Sequence, residues 1–178
     1  KASATGYDEK VETSTVTITP KTLTVTADNK VKKYGTADPE LTYKNEAGVK
    51  KEVPGFEGKL KREAGEEVGH YDINQGSLTL KDNEDFKASN YELVYVKGDF
   101  EITKNDSLQL AVDPYNGTYD GHAHGVTVTT ASAGKEAVTL QYSTDGSNWA
   151  DKVEYIDVTN GAKTVYVKAS AKGYDDKT

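Results

Sequence analysis

The stretch Tyr91-Glu92-Leu93-Val94-Tyr95-Val96-Lys97-Gly98-Asp99-Phe100-Glu101-Ile102 carries apolar side chains at alternate positions on both sides of a glycine. Side chains two residues apart share one face of a β-strand, so the pattern predicts two strands that are each buried on one face. Lys97-Gly98-Asp99 is typical of a tight turn, and we expect the two strands to form a hairpin.

The same alternation recurs along the chain and predicts a mostly β protein. Thr occurs 21 times and Tyr 12 times, and both residue types suit a half-buried pleated surface. Asp145-Gly146 lies between flanking strands and predicts a second hairpin, because both residues tolerate a positive φ. Further strands are predicted at residues 16–19, 21–27, 71–73, 77–80, 108–112, 126–128, 138–142 and 165–169.

Composition excludes several classes of function. The chain of 178 residues carries a net charge of −7 and has no cysteine. Disulfides, zinc–thiolate sites and cysteine nucleophiles are therefore ruled out. The negative charge argues against nucleic acid as a partner. No apolar run approaches the length that spans a bilayer, so we expect no membrane insertion in this fragment.

An internal repeat links the two ends of the sequence. Lys1-Ala2-Ser3-Ala4-Thr5-Gly6-Tyr7-Asp8-Glu9-Lys10 recurs as Lys168-Ala169-Ser170-Ala171-Lys172-Gly173-Tyr174-Asp175-Asp176-Lys177, with eight of ten positions identical at an offset of 167 residues. This predicts a fragment of a tandem array, in which neighbouring repeats of the same protein are partners.

Two short polar links divide the sequence near Pro20 and Asn105. We predict a terminal strand of the preceding repeat at residues 1–20, a first β domain at 21–104, and a second β domain at 105–178 that lacks its last strand. Our hypothesis is that residues 11–19 of one molecule complete the second domain of another, head to tail, by strand addition. Completion within one chain would require this segment to double back past the first domain, which we do not expect.

Several motifs together resemble the YGX type of the MBG domain. They are Lys33-Tyr34-Gly35-Thr36-Ala37-Asp38-Pro39, Gly55-Phe56-Glu57-Gly58, Gly65-Glu66-Glu67-Val68-Gly69-His70-Tyr71-Asp72-Ile73, Gly76-Ser77-Leu78, Asn90-Tyr91-Glu92-Leu93 and Gly98-Asp99-Phe100-Glu101-Ile102-Thr103. The resemblance covers residues 21–104. The second domain, with Tyr119-Asp120-Gly121-His122-Ala123-His124-Gly125, is similar to the YDG-bearing modules that accompany MBG domains. We expect a β-grasp-like first domain and a small β-sandwich-like second domain, in an elongated tandem arrangement.

The resemblance implies an extracellular protein of the bacterial cell surface, anchored to the cell wall through regions outside this fragment. It implies a non-catalytic stalk or spacer repeat of an adhesin-like protein. The alternative is a weak multivalent module that binds host glycans, mucin or a matrix protein. Trp149, Tyr142 and Tyr155 are the candidate ligand-binding residues, because exposed aromatic rings can stack on sugars.

Motifs for catalysis are missing from the sequence. There is no Gly-x-Ser-x-Gly elbow and no phosphate-binding loop. His122 and His124 lie two apart and could begin a metal site with Asp120, but a turn-and-strand motif is the favoured interpretation. We therefore predict no catalytic residues, no metal site and no cofactor.

Overall fold

The computed structural model describes residues 5–178, which contain thirteen β-strands, two short 3₁₀ turns and no α-helix. The predicted mostly β fold is therefore confirmed. The strands are β1 (Lys21–Ala27), β2 (Lys30–Lys33), β3 (Tyr43–Asn45), β4 (Gly55–Glu57), β5 (Lys61–Arg62), β6 (Gly69–Asn74), β7 (Thr79–Lys81), β8 (Tyr91–Val96), β9 (Gly98–Thr103), β10 (Gln109–Asp113), β11 (Thr127–Ser132), β12 (Val138–Ser143) and β13 (Tyr166–Ala171); the 3₁₀ turns are Val49–Lys51 and Ala88–Asn90.

A long parallel strand pair forms the centre of the first unit, residues 21–104. Lys21 of β1 lies opposite Tyr91 of β8, and Lys30 of β2 lies opposite Phe100 of β9. Both pairings have the same displacement of 70 residues. The two pairs therefore follow one another along the same two stretches of chain in one register and form a parallel ladder, although β1-β8 and β2-β9 belong to different sheets.

The predicted hairpin between β8 and β9 is wrong. The two strands do not pair with each other; β8 pairs with β1, and β9 lies between β2 and β6. Gly98 is buried against Ala27, and a β-carbon at Gly98 would lie 3.0 Å from the Ala27 Cβ and 3.2 Å from the Ala27 carbonyl oxygen. The glycine therefore permits a close approach of two backbones, and the chain continues forward instead of turning back.

Antiparallel strands extend this ladder on both sides. The first unit comprises a three-stranded sheet in the order β3-β1-β8, a four-stranded sheet in the order β2-β9-β6-β5, and the pair β4-β7. β1 alternates inward apolar and outward threonine side chains, as its sequence pattern predicts, and buries Leu23, Val25 and Ala27. The chain turns at Gly76 between β6 and β7, and these two strands join different sheets.

Tyr91 ties the core cluster around Leu23 and Val25 to a 3₁₀ turn. Its ring stacks on Phe86 with centroids 4.8 Å apart. Its hydroxyl donates to a Glu52 carboxylate oxygen at 2.6 Å and accepts a hydrogen bond from the Val49 backbone N–H at 2.6 Å. One side chain thus packs in the core and fixes the turn at Val49–Lys51.

The second unit, residues 105–178, contains two separate antiparallel pairs, β10-β11 and β12-β13. The chain reverses after β12 through Asp145, whose carboxylate accepts hydrogen bonds from the Ser147 and Asn148 backbone N–H groups, both at 2.8 Å. These bonds, led by the one from Asn148, lower the pKa of Asp145. The turn at Asp145-Gly146 forms, and after it Tyr142 and Ala150 exchange two backbone hydrogen bonds of 2.8 Å. The predicted hairpin is confirmed only in this one bridge, because the strand that pairs along β12 is β13. The β-grasp-like and β-sandwich-like architectures stay predictions.

The strand predicted at residues 16–19 is wrong for this chain. The first strand begins at Lys21, and residues 5–20 are exposed along their whole length. Val16 and Ile18 have relative exposures of 88% and 89%. Their alternation is a strand pattern without a sheet edge to pair with, since a single extended segment in water has no partner for its backbone groups.

Four charged side chains form a cluster beside the central ladder. Lys32 has only 4% of its side chain exposed and donates to carboxylate oxygens of Asp38, at 2.7 Å, and Glu66. Arg62 binds Asp38 with two hydrogen bonds, at 2.6 and 3.1 Å, and binds Glu66 at 2.5 Å. Its guanidinium also lies 4.7 Å from the centre of the Phe100 ring.

The cluster changes the protonation of its members. Hydrogen bonds from Arg62, together with those from Lys32, lower the pKa of Asp38 to about 2 against the opposing effect of burial. Burial alone would lower the pKa of Lys32, but its bonds to Asp38 and Glu66 hold that pKa above its ordinary value. All four groups therefore stay charged at neutral pH and hold one another in place.

We expect Asp38→Asn to lower the free energy of unfolding by about 2 kcal/mol, because it leaves the enclosed Lys32 ammonium with one carboxylate in place of two. Chemical denaturation at pH 7 measures this. Asp85→Asn, an exposed aspartate of the same unit, is the matched control and should change stability by less than about 0.5 kcal/mol. Equal effects of the two substitutions would contradict a stabilising role of the cluster.

Acid should remove part of the stability that the Asp38 carboxylate contributes. Because folding lowers the pKa of Asp38, its contribution is complete above the unfolded value of about 3.9 and is lost as the pH falls towards 2. After allowance for its partial exposure, we expect a loss of about 1 kcal/mol across this window. The difference between parent and Asp38→Asn should shrink between pH 5 and pH 2; a constant difference would contradict the assignment.

Candidate functional site

One buried cluster crosses the boundary between the two units. Its members come from both sides of Asn105 and exclude water from the joint between them. They are Ala27, Tyr34, Ile73, Phe100 and Ile102 of the first unit, and Leu108, Ala133, Ala169 and Tyr174 of the second. The units therefore share part of their core, unlike domains joined by a flexible linker.

The centre of the joint is the ring of Tyr34, from the Tyr-Gly motif of the first unit. It meets Tyr174 edge to face, with centroids 6.0 Å apart at an interplanar angle of 71°. It also covers Gly173, where an added β-carbon would lie 2.3 Å from the ring. Gly173 has a φ of +74°, so both the backbone conformation and the covering ring require glycine at this position.

The hydroxyl groups of the two tyrosines extend the joint. Tyr34 donates to a Glu136 carboxylate oxygen at 3.1 Å, and burial, followed by Glu136, raises the pKa of Tyr34. The Tyr174 hydroxyl lies against Gly134, where an added β-carbon would be 2.7 Å away. Gly134 has a φ of +56°, so its backbone conformation and the nearby hydroxyl both favour glycine at this position as well.

Asn105, the predicted domain boundary, is buried and hydrogen-bonded through both its backbone and its side chain. Its backbone N–H donates to the Gly173 carbonyl at 2.9 Å, and its carbonyl accepts from the Asp175 N–H at 3.0 Å. Its side-chain amide donates to the Tyr34 carbonyl at 2.9 Å. The link between the units is thus held by a short parallel ladder and cannot act as a swivel.

Two exposed ion pairs lie at the rim of the joint. Lys33 contacts Asp106 at 2.7 Å, and Lys172 contacts Glu67 at 2.6 Å. The hydrogen bond from Lys33 lowers the pKa of Asp106. Exposed pairs of this kind contribute little to stability, so they orient the units while the buried tyrosines hold them together.

The N-terminal copy of the joint motif has a different environment. Gly6 has a φ of +88°, and a β-carbon added there would have no atom within 4 Å. Tyr7 is 80% exposed, whereas Tyr174, its counterpart in the second copy, is only 7% exposed. Gly-Tyr-Asp therefore occurs twice in the chain, once buried in the joint at residues 173–175 (docked) and once exposed at residues 6–8 (undocked).

The three predicted ligand-binding residues do not form one platform. The Lys168 ammonium lies 4.5 Å from the centre of the Trp149 ring. Lys168 is opposite Gln141, the neighbour of Tyr142 in β12, so Trp149 and Tyr142 lie on opposite faces of the sheet. Tyr155 pairs through its backbone with His124 and lines a groove of about 780 Å³. A binding role for these residues stays a prediction.

The histidines of the Tyr-Asp-Gly motif form a turn. Asp120 accepts a hydrogen bond from the His122 backbone N–H at 2.9 Å and lies 2.8 Å from the His124 Nε2. The bond to His124 is the largest cause of a lowered Asp120 pKa. The His124 ring stacks on Tyr115, with centroids 4.1 Å apart. Within residues 5–178, no group of three or more His, Cys, Asp or Glu side chains is arranged to hold a metal ion.

Comparison with known families finds a match for the first unit. Residues 23–101 match the MBG domain (YGX type). No curated protein and no solved structure matches the chain. The matched segment contains Tyr34 and the four-charge cluster, whereas Gly173 and Tyr174 lie outside it. Among the described residues, no helix is long and apolar enough to cross a membrane.

Sequence reasoning missed both the charge cluster and the joint. Lys32 and Glu66 are separated by 34 positions, and Tyr34 and Glu136 by 102, so no local pattern links them. A signal for the joint was nevertheless present, since Gly-Tyr-Asp occurs at both residues 6–8 and residues 173–175 of this one chain. Repeated glycine and tyrosine at the same spacing indicate a recurring close contact between backbone and ring.

We expect Tyr174→Ala to lower the free energy of unfolding of the second unit by about 3 kcal/mol, since it removes a buried ring from the shared core. The only tryptophan, Trp149, lies in the second unit, so its fluorescence follows that unit alone. The transition seen by fluorescence should then separate from the one seen by circular dichroism. Tyr7→Ala, the exposed copy, should leave both unchanged; equal effects would contradict the joint.

Gly173→Ala tests the contact with the Tyr34 ring. It should destabilise the second unit by about 2 kcal/mol or more, because the new methyl group meets the ring and the positive φ is strained. Gly6→Ala imposes a similar strained φ without a neighbouring ring, so it should cost only the strain, about 1 kcal/mol, and less than Gly173→Ala. A Gly173→Ala protein that denatures at the same urea concentration as the parent would show that the ring does not press on this glycine.

Proposed function

We propose that this chain is a non-catalytic stalk or spacer repeat of an adhesin-like protein of the bacterial cell surface. The observation that carries the proposal is the joint motif. Gly173-Tyr174-Asp175 locks the second unit onto the first, and the same motif stands undocked at residues 6–8. A chain that repeats its own docking element is suited to end-to-end assembly of units at a fixed angle.

The geometry of the joint supports a spacer. A shared core and the Asn105 backbone ladder restrict rotation between the two units far more than a glycine- or serine-rich linker would. If every junction in a tandem array repeats this arrangement, length increases in proportion to copy number. Neighbouring repeats of the same protein are then the partners of each unit.

The family match supports the surface context. The MBG domain match at residues 23–101 is to a β-rich domain type. The resemblance of the second unit to YDG-bearing modules, carried by Tyr119-Asp120-Gly121, supports the same context for residues 105–178. An extracellular location agrees with the absence of cysteine, because such a chain needs no control of thiol oxidation. The buried joint replaces disulfides as the element that fixes one unit to the next.

Small-angle X-ray scattering on proteins of one and four tandem copies tests the proposal. For a straight spacer the radius of gyration should increase about fourfold, because it follows the contour length. A compact globule of the same mass would increase only about 1.7-fold. The compact result would overturn the spacer function.

Tyr174→Ala in every copy supplies the matched control. Softened joints should reduce the maximum dimension of the four-copy protein and broaden its distance distribution. A distribution identical to that of the parent would show that the tyrosine joint does not set the angle between units.

A second candidate function is weak, multivalent binding of host glycans, mucin or a matrix protein. One observation favours it: Tyr115, Tyr119 and Tyr155 all line the groove of about 780 Å³ in the second unit. Tyrosine rings stack on sugar faces, and many weak sites in an array act together.

An NMR titration of the labelled chain with pooled host glycans and mucin fragments, up to millimolar concentration, separates the two functions. A spacer predicts no shifts. Saturable shifts at Tyr155, Tyr142 or Trp149 that are lost in the corresponding alanine variant would replace the spacer function with glycan binding.

A further inference from the structure

We propose that β8 (Tyr91–Val96) is a docking edge at which two copies of this chain pair side by side, antiparallel, about a two-fold axis at Val94. The occupant of the edge is β8 of the second copy. The inference goes beyond the proposed spacer function and does not depend on it, because it rests on one strand in the interior of the first unit.

The outer edge of β8 has no strand beside it. Within residues 5–178, β8 pairs with β1 alone, at the end of the sheet β3-β1-β8. Hydrogen bonds on the far side of β1 show which way its backbone groups point. The Thr24 carbonyl accepts a hydrogen bond from the Glu46 N–H on the β3 side. Backbone groups alternate in direction along a strand, so those of Leu23 and Val25 point to β8.

The free backbone groups of this edge belong to Leu93 and Tyr95. In a parallel pair, a residue binds the residues before and after the one that it lies opposite. Leu23 lies opposite Leu93 and therefore binds the backbone groups on either side of Leu93. The N–H and C=O groups of Leu93 itself point away from β1, and those of Tyr95 do so one step further along. Among the described residues, no other element supplies a backbone partner to these four groups, so they can receive a further strand.

The side chains of β8 that face the solvent beside this edge are aliphatic. Val94 and Val96 have relative exposures of 42% and 44%. They alternate with the inward-facing Leu93 and Tyr95, so all of them lie along one regular strand. A strand added at the edge would cover part of the two valines, which is favourable.

The other edge strands of the first unit are protected against pairing. Natural sheets prevent edge-to-edge contact with short edge strands and with lysine side chains. Among the described residues, the other edges are β2, β3, β4, β5 and β7, and each is two to four residues long. All of them except β4 carry at least one lysine: Lys30, Lys32, Lys33, Lys44, Lys61 and Lys81. β8 has six residues and no lysine, which indicates that this edge receives a strand.

A second β8 satisfies the edge in full. The two-fold axis at Val94 pairs Leu93 of one copy with Tyr95 of the other, and each of these pairs exchanges two hydrogen bonds. All four free groups of each copy thereby gain partners. Val94 meets Val94 of the second copy on the outer face, in a pair that is not hydrogen-bonded and has Cα atoms about 4.5 Å apart.

This register also keeps like charges apart. Glu92 lies opposite Val96 of the second copy, so the two Glu92 residues are four positions apart along the strands, about 13 Å. Like charges directly opposite each other would oppose the pairing. The same strand is therefore complementary to itself in its hydrogen bonds, its apolar side chains and its charges.

One such contact is weak, and repetition strengthens it. Two paired six-residue strands form a smaller contact than a stable interface, which buries about 1,200 Å² or more. Single chains should therefore pair only at high concentration. Where many copies follow one another in a tandem array, the pairs along two neighbouring molecules act together.

Val94→Cys tests the axis directly, because the chain has no cysteine of its own. Pairing about Val94 brings the two thiols within range of a disulfide, so mild oxidation of the concentrated protein should give a covalent dimer in high yield. Val31→Cys is the matched control, since Val31 is another exposed valine of the first unit and lies on the lysine-bearing edge β2. Equal dimer yields for the two variants would overturn the proposal.

Glu92→Cys with Val96→Cys tests the register. Oxidation should join position 92 of one molecule to position 96 of the other, and peptide mapping should find this mixed bond. Dimers that mainly contain bonds from 92 to 92 or from 96 to 96 would show that the two strands do not pair about Val94.

A second measurement uses hydrogen exchange of the chain without cysteines. The Leu93 and Tyr95 amides should exchange fast in dilute protein and severalfold more slowly at millimolar concentration, whereas the Val94 amide, which points to β1, should be protected at every concentration. Val94→Lys should abolish the concentration-dependent protection, and Val31→Lys should leave it unchanged. The fold should be retained in both variants, because both side chains face the solvent.

Two outcomes of the exchange measurement would contradict the pairing. One is a parent chain whose Leu93 and Tyr95 amides exchange at the same rate in dilute and in concentrated protein. The other is concentration-dependent protection in a chain whose Val94→Cys variant gives no more disulfide dimer than the control. In that case a segment other than β8 would occupy the edge.

Discussion

The ring of Tyr34 occupies the space in which any residue other than glycine at position 173 would place its β-carbon. This contact makes the two units one structure, since it closes a core to which both units contribute. The second tyrosine reaches back in the same way, since the Tyr174 hydroxyl lies 3.7 Å from the position of an added β-carbon at Gly35. The Asn105 ladder and the rim ion pairs then fix the orientation that the ring contact permits.

The charge cluster lies against the shared core and supports the joint from within the first unit. Arg62 lies over Phe100, a fully buried ring of the shared core, and at the same time holds Asp38 of the Tyr-Gly motif loop. Because Tyr34 and Asp38 are only four positions apart in the sequence, the cluster and the joint act on one loop. Packing and charge therefore position the same few residues.

Local patterns predicted the strands well and their pairing poorly. Alternation at Leu23, Val25 and Ala27 is a property of one segment, and the structure has that strand. The error at Gly98 arose because a glycine between two strands has two physical uses, a tight turn or a close backbone approach, and only the position of Ala27 decides between them. Val16 and Ile18 show the opposite case, a strand pattern that forms no strand and stays exposed in this structure.

The parallel ladder of the first unit has a mechanical consequence. The chain enters the first unit at Lys21, at one end of the ladder, and leaves after Thr103, at the opposite end. Tension along an array would therefore pull the two strands lengthwise in opposite directions. Every hydrogen bond of the ladder would then bear load at the same time, in shear. In the alternative geometry the bonds would break one after another from one end. The slow step under tension is the concerted loss of these bonds, so the order of the strands sets how long a repeat resists being drawn out.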